Sequence, residues 1–151
     1  MILAAVDDTA YNIVLLLHIL AGFAAFAPAF IHPLLGEQAK ALDDANRSKV
    51  MGFMVANGRR LHAPALVLVG VLGFALPGMS AGELELSQGW LVASIVVWLG
   101  MNGVLHAVVI PGERAMAEGD NAAESRVTIG SITITLLLVV MLYLMIWKPG
   151  L

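Results

Sequence analysis

The sequence contains no cysteine and few charged residues. Without cysteine, disulfides, thiolate metal sites and iron–sulfur clusters held by Cys are excluded. Charged residues make up 13% of the 151 residues, whereas soluble domains average roughly a quarter. Hydrophobic residues make up 60% of the chain, and the mean hydropathy is +0.89. This composition indicates a membrane protein and leaves no room for a soluble domain.

Several functional classes lack their sequence signals. The formal net charge is −3, so the chain has no basic footprint for nucleic acid. It contains no phosphate-binding loop, no catalytic triad and no pair of intramembrane carboxylates. No catalytic residue is therefore predicted, and an enzymatic role is not favoured.

Four apolar runs are long enough to cross the ~30 Å hydrocarbon core of a bilayer as helices. These runs cover residues 10–34, 61–78, 89–110 and 128–147, with approximate ends. The predicted fold is all-α, a four-transmembrane-helix up-down-up-down bundle that forms a single membrane domain over residues 1–151. A polar stretch at about 37–58 is predicted to form a cytoplasmic helix that runs into the second span.

The basic residues predict the orientation. Seven of the eight fall in the first and third connections: Lys40, Arg47, Lys49, Arg59, Arg60, Arg114 and Arg126. Lys148 is the one basic residue on the other side, where Asp7 and Asp8 also lie. By the positive-inside rule, both basic connections are cytoplasmic and both termini lie outside the bacterial inner membrane. The acidic start also has the wrong charge for an export signal, so the first run is expected to stay as a membrane helix.

Histidines are the most informative polar residues of the apolar runs. His32, His62 and His106 each lie about two to four residues inside the predicted cytoplasmic boundary of three different helices. At 1.5 Å per residue they share one layer roughly 3 to 6 Å deep. His18 is deeper and alone, about 21 Å along the axis from His32 but on nearly the same helix face.

Small residues accompany these histidines. Gly22, Ala25 and Ala29 lie between His18 and His32, which leaves room for either a close neighbouring helix or a flat cofactor. On the third span, the amide of Asn102 is four residues from His106 and is predicted to orient that imidazole.

Further close approaches of helices are predicted at two pairs of glycines. Gly70 and Gly73 lie on the second span, and Gly100 and Gly103 lie on the third. Without a side chain at these positions, neighbouring backbones can come close together.

Two further sets of polar residues are weaker candidates. Glu37 and Glu113 follow the cytoplasmic ends of their spans, where solvated side chains are expected, although either could join the histidine layer as a carboxylate ligand. Thr128, Ser131 and Thr135 follow one face of the fourth run, where hydroxyls usually make hydrogen bonds within or between helices.

A resemblance adds to this interpretation. LLHILAG in the first run, GRRLHAPALVLVGVLG in the second and GWLVASIVVWLGMNGVLHAVVIPGERAMAEG in the third resemble a family of small bacterial four-helix proteins known as predicted integral membrane proteins of unknown function. More distantly, the pattern resembles copper resistance protein D and HemJ-type membrane proteins. The resemblance to the HemJ type implies that His18 is associated with haem. Ala21-Gly22 replaces their Trp-Gly pair, and their Arg and Lys oxidase positions have no clear match.

Three functions are consistent with these residues. The leading hypothesis is an accessory bundle that binds haem b or a divalent transition metal through His18, His32, His62 and His106, because imidazole ligates Fe, Zn and Cu well. A metal could use His32, His62 and His106 alone. The alternatives are a cofactor-free structural or partner-binding subunit, and a proton-coupled or metal-ion transporter that acts as a homo-oligomer or within a larger membrane complex.

Overall fold

The computed structural model describes residues 9–150, and all regular structure within that range is helical. Asp7 and Asp8, which enter the orientation argument, lie outside the described residues. The elements are α1 (Thr9–Ala39), α2 (Asp44–Asn57), a π-helical turn (Gly58–His62), α3 (Ala63–Met79), α4 (Gly89–Val104), a second π-helical turn (Leu105–Val109), α5 (Ile110–Ala117), a 3₁₀ turn (Asn121–Ala123) and α6 (Glu124–Trp147).

These elements join into four helices that are each long and apolar enough to cross a membrane. The four spans are Thr9–Ala39, Asp44–Met79, Gly89–Ala117 and Asn121–Trp147. The predicted all-α fold with four membrane-spanning helices is therefore confirmed, and it is consistent with a multi-pass membrane protein. The up-down order of the spans stays a prediction.

Each π-helical turn ends two residues before a proline. Pro64 and Pro111 cannot donate a backbone hydrogen bond, and their rings crowd the carbonyl four residues earlier in an α-helix. Just before each proline, the backbone N–H bonds to the carbonyl five residues earlier instead of four. Ala63 N–H donates to the Gly58 carbonyl, and Ile110 N–H donates to the Leu105 carbonyl. The helix therefore continues through Pro111 to Ala117, although the sequence predicted that the third span ends at that proline.

The polar connection after the first span differs from the predicted single helix over 37–58. α1 continues to Ala39, and α2 begins only at Asp44 because the Asp43 carboxylate accepts a hydrogen bond from the Asn46 backbone N–H. This N-cap bond also lowers the pKa of Asp43. At the same turn, hydrogen bonds from Lys40 to Glu124 and Glu37 raise the pKa of the lysine.

The core runs along the small-residue face of α1. Ala21 and Ala25 are buried, and Ala25 packs with Leu66, Met101 and other apolar side chains of the remaining spans. α1 packs closely on α3, whereas the Cβ position of Gly22 on the small-residue face has no atom within 4 Å.

The glycines of α3 admit aromatic rings rather than a neighbouring backbone. At Gly70 the indole of Trp98 lies against the helix, and Trp98 Nε1–H donates to the Leu66 carbonyl at 2.8 Å. At Gly73 the imidazole of His18 lies against the helix in the same way.

The spans associate mainly in pairs. The first packs on the second along α1 and α3, and the third packs on the fourth along α4 and α6. Contacts between the two pairs are fewer along the apolar helices α3 and α4, whereas α2 packs extensively on α5. The two pairs are therefore joined most firmly at the end that carries the polar connections.

Candidate functional site

A buried polar cluster joins the two helix pairs at this end of the bundle. His32 Nδ1 lies 2.8 Å from Glu113 Oε1, and His32 Nε2 lies 3.2 Å from Asn57 Nδ2. His32 is 7% exposed and Glu113 only 2% exposed. The pair thus links α1 to α5, and the amide of α2 completes the connection.

These contacts fix which ring nitrogen carries a proton. With Glu113 ionised, His32 Nδ1–H donates to the carboxylate, so a neutral ring accepts from the Asn57 amide at Nε2. A bond between a histidine and an ionised carboxylate is stronger than a bond between neutral groups. Both nitrogens of His32 are consequently engaged within the protein.

A second histidine lines a cavity together with the same carboxylate. His62 is 4% exposed, and its Nε2 atom and Glu113 Oε2 are the two buried side-chain polar atoms within residues 9–150 that lack a hydrogen-bond partner. The cavity measures ≈ 10 Å³, about the space that one water molecule requires. Its lining consists of Pro28, Ala29, His32, His62, Val109, Glu113, Ser131 and Ile134.

The π-helical turns place these groups. His62 ends the first turn, and the second turn leads into α5, which carries Glu113. Gly58 opens the first turn, and a Cβ at this position would lie 3.3 Å from Glu113 Oε2. Glycine therefore lets the backbone approach the carboxylate closely. Such π-turns occur frequently at functional sites.

His106 lies apart from this cluster. Its side chain is exposed, and Nδ1 lies 2.9 Å from the backbone carbonyl of Asn102. The predicted contact with the Asn102 amide is wrong, because Nδ2 of that amide donates instead to the carbonyl of Trp98, one turn earlier.

His18 is half-buried between the first two spans. Its Nδ1 lies 2.9 Å from the carbonyl oxygen of Val69, so Nδ1–H donates there and Nε2 keeps its lone pair. The ring is thus ordered by α3 rather than by a second imidazole.

The donor groups do not assemble the predicted ligand sets. Within residues 9–150 no group of three or more His, Asp or Glu side chains is arranged to hold a metal ion. Both nitrogens of His32 are hydrogen-bonded, and His18 has no imidazole opposite it for haem. Ligation of haem or metal by these histidines stays a prediction, for which the geometry offers no complete ligand set.

Sequence reasoning missed part of the cluster. Glu113 was expected to be solvated at a helix end, but it is buried and joins the histidines, whereas Glu37 is exposed beside Lys40. Asn57 was not singled out. The available signal was weak: Asn57 and Glu113 each adjoin a glycine, which permits close approach of a neighbouring element.

In comparisons with known proteins, no protein family, no curated protein and no solved structure matches this chain.

Proposed function

We propose that this protein is a proton-coupled transporter of the bacterial inner membrane, with both termini outside, in which the His32–Glu113–His62 cluster is the proton-binding site. The observation that carries the proposal is the pair of partnerless atoms, Glu113 Oε2 and His62 Nε2, beside one water-sized cavity. A bridging water would connect them into a chain from the carboxylate to the imidazole. Ionisable groups within membrane spans are costly and often mark proton relays.

The chemistry of the cluster supports proton exchange. A carboxylate and an imidazole both take up and release protons near neutral pH when their surroundings change. Glu113 Oε1 is held by His32, which leaves Oε2 to receive a proton on the cavity side. The basic residues Lys40, Arg59 and Arg114 lie on the same side of the bundle, so the proton would enter from the cytoplasm.

The two pairs of spans form two units, and proton binding could change the contact between them. The cluster bridges the first pair of spans, through His32 and His62, to the second pair, through Glu113. Protonation of Glu113 would weaken its charge-assisted bond to His32 and so loosen the contact between the pairs. The cavity of ≈ 10 Å³ has room for one water molecule and for no larger substrate.

Glu113→Gln is expected to abolish proton uptake, because glutamine retains the shape of the side chain but cannot ionise. A pH step applied to proteoliposomes on a solid-supported membrane should give a transient current in the parent protein. In Glu113→Gln the current should fall to that of protein-free liposomes. The matched control is Glu118→Gln, which removes an exposed carboxylate five residues along the chain and should retain the current.

His62→Leu separates a functional role from a structural one. Leucine fills this place with an apolar side chain but cannot bond the bridging water, so the free energy of unfolding should fall by no more than about 1–3 kcal/mol. The transient current should nevertheless be lost, because the relay has lost its second site. Equal currents in the parent protein, Glu113→Gln and His62→Leu would contradict the proposal.

A further inference from the structure

A second candidate site lies on the outer face of the second span, away from the polar cluster. Gly52, Val55, Ala56, Arg59 and Arg60 line an open groove of ≈ 460 Å³. All five residues belong to α2 and the π-helical turn that follows it, so the groove is a face of the second span.

The two arginines of the groove form no ion pair within residues 9–150, a property that Arg47, Lys49 and Lys148 share. Lys40, Arg114 and Arg126 each form an ion pair. Within residues 9–150, neither Arg59 nor Arg60 has a carboxylate at ion-pair distance or a side-chain hydrogen bond. Both side chains are exposed. The groove therefore presents two uncompensated positive charges.

The position of these charges along the span indicates the kind of ligand. Arg59 and Arg60 lie where polar α2 passes into apolar α3. The next residue, Leu61, is 48% exposed, and Val67 and Leu68 further along the span are also exposed. A ligand with an anionic head at the arginines and an apolar tail along α3 matches both surfaces.

We propose that this groove binds the phosphate headgroup of an anionic phospholipid. Guanidinium groups match phosphate oxygens in geometry and charge, and basic pockets on the cytoplasmic side of membrane proteins bind acidic headgroups. The acyl chains lie along the exposed apolar side chains of α3. The proposal rests on the groove alone and does not depend on the proton-binding site.

Native mass spectrometry of the full chain in detergent tests this proposal. Phosphatidylglycerol is titrated against phosphatidylcholine, and bound lipids are counted. We expect phosphatidylglycerol to bind preferentially, and its affinity to fall at least ~10-fold in the double variant Arg59→Gln/Arg60→Gln. The matched control, Arg114→Gln/Arg126→Gln, removes the same charge from ion-paired arginines and should bind as the parent does. Arg59→Lys/Arg60→Lys keeps the charge and should recover part of the affinity.

Three results would overturn the proposal. One is an equal loss of affinity in both Gln variants, which would indicate general attraction to positive charge. Another is the absence of any preference for phosphatidylglycerol over phosphatidylcholine. The third is competition by inorganic phosphate at the concentrations that saturate phosphatidylglycerol, which would show that the site takes free phosphate and uses no acyl chain.

Discussion

His32→Leu is expected to lower the free energy of unfolding by roughly 3 kcal/mol, because a buried carboxylate that loses its hydrogen-bond donor bears its full desolvation cost. The substitution would leave Glu113, which is 2% exposed, with neither oxygen bonded to a side chain. The double variant His32→Leu/Glu113→Leu should be much more stable than the single variant, because apolar residues of similar volume replace a buried pair at little cost. Unfolding in mixed micelles with increasing dodecyl sulfate measures the stability of the parent protein, of the single variants His32→Leu and Glu113→Leu, and of the double variant.

An exposed ion pair at the C-terminal end of α5 provides the control for this double-mutant cycle. Arg114 and Glu118 form a 2.9 Å contact, with side chains 67% and 65% exposed. Their single and double substitutions by leucine should change stability little, since surface pairs contribute about 0–1 kcal/mol. If the losses of His32→Leu and Glu113→Leu simply add in the double variant, the two residues are not coupled and the description of the cluster is wrong.

Gly70→Ala is expected to cost about 2–4 kcal/mol of stability, from overpacking and from loss of a hydrogen bond. A Cβ at this position would overlap the indole of Trp98 and lie 2.7 Å from its Nε1. The ring would have to leave the carbonyl of Leu66, to which it donates. Gly22→Ala on α1 is the matched control, since nothing lies within 4 Å of its Cβ position, and it should be neutral or stabilise by roughly 0.5–1 kcal/mol.

The same unfolding titration in mixed micelles distinguishes these glycines. Trp98→Leu in the Gly70→Ala background should restore part of the lost stability, because the smaller side chain fits beside the new methyl group. Equal stability of Gly70→Ala and Gly22→Ala would contradict the close packing of Trp98 on α3.

The apolar runs predicted the number of spans, because length and hydropathy alone decide whether a helix can cross a bilayer. They did not predict where the helices end. The π-helical turns carry the chain past Pro64 and Pro111, and no hydropathy pattern encodes such turns. α1 likewise continues to Ala39, since polar residues extend a helix as well as apolar ones do once it has begun.

The sequence predicted the position of the candidate site along the helix axes, but it did not predict how each helix is rotated about its axis. The spacing of His32 and His62 from the helix ends indicated one layer, and both histidines do line one cavity. Which face each helix turns inward depends on packing between spans, and this packing buries Glu113 while it leaves His106 exposed. A carboxylate at the end of an apolar run has the same sequence pattern whether it is solvated or paired.

Infrared titration of the protein in lipid membranes tests the central claim most directly, because it observes the protonated carboxyl group itself. As the pH is lowered, a carbonyl stretching band of a protonated, buried carboxyl group should appear in the parent protein and in Glu118→Gln, and it should be absent in Glu113→Gln. The same carbonyl band in Glu113→Gln would contradict the assignment of the buried His32–Glu113–His62 cluster as the proton-binding site.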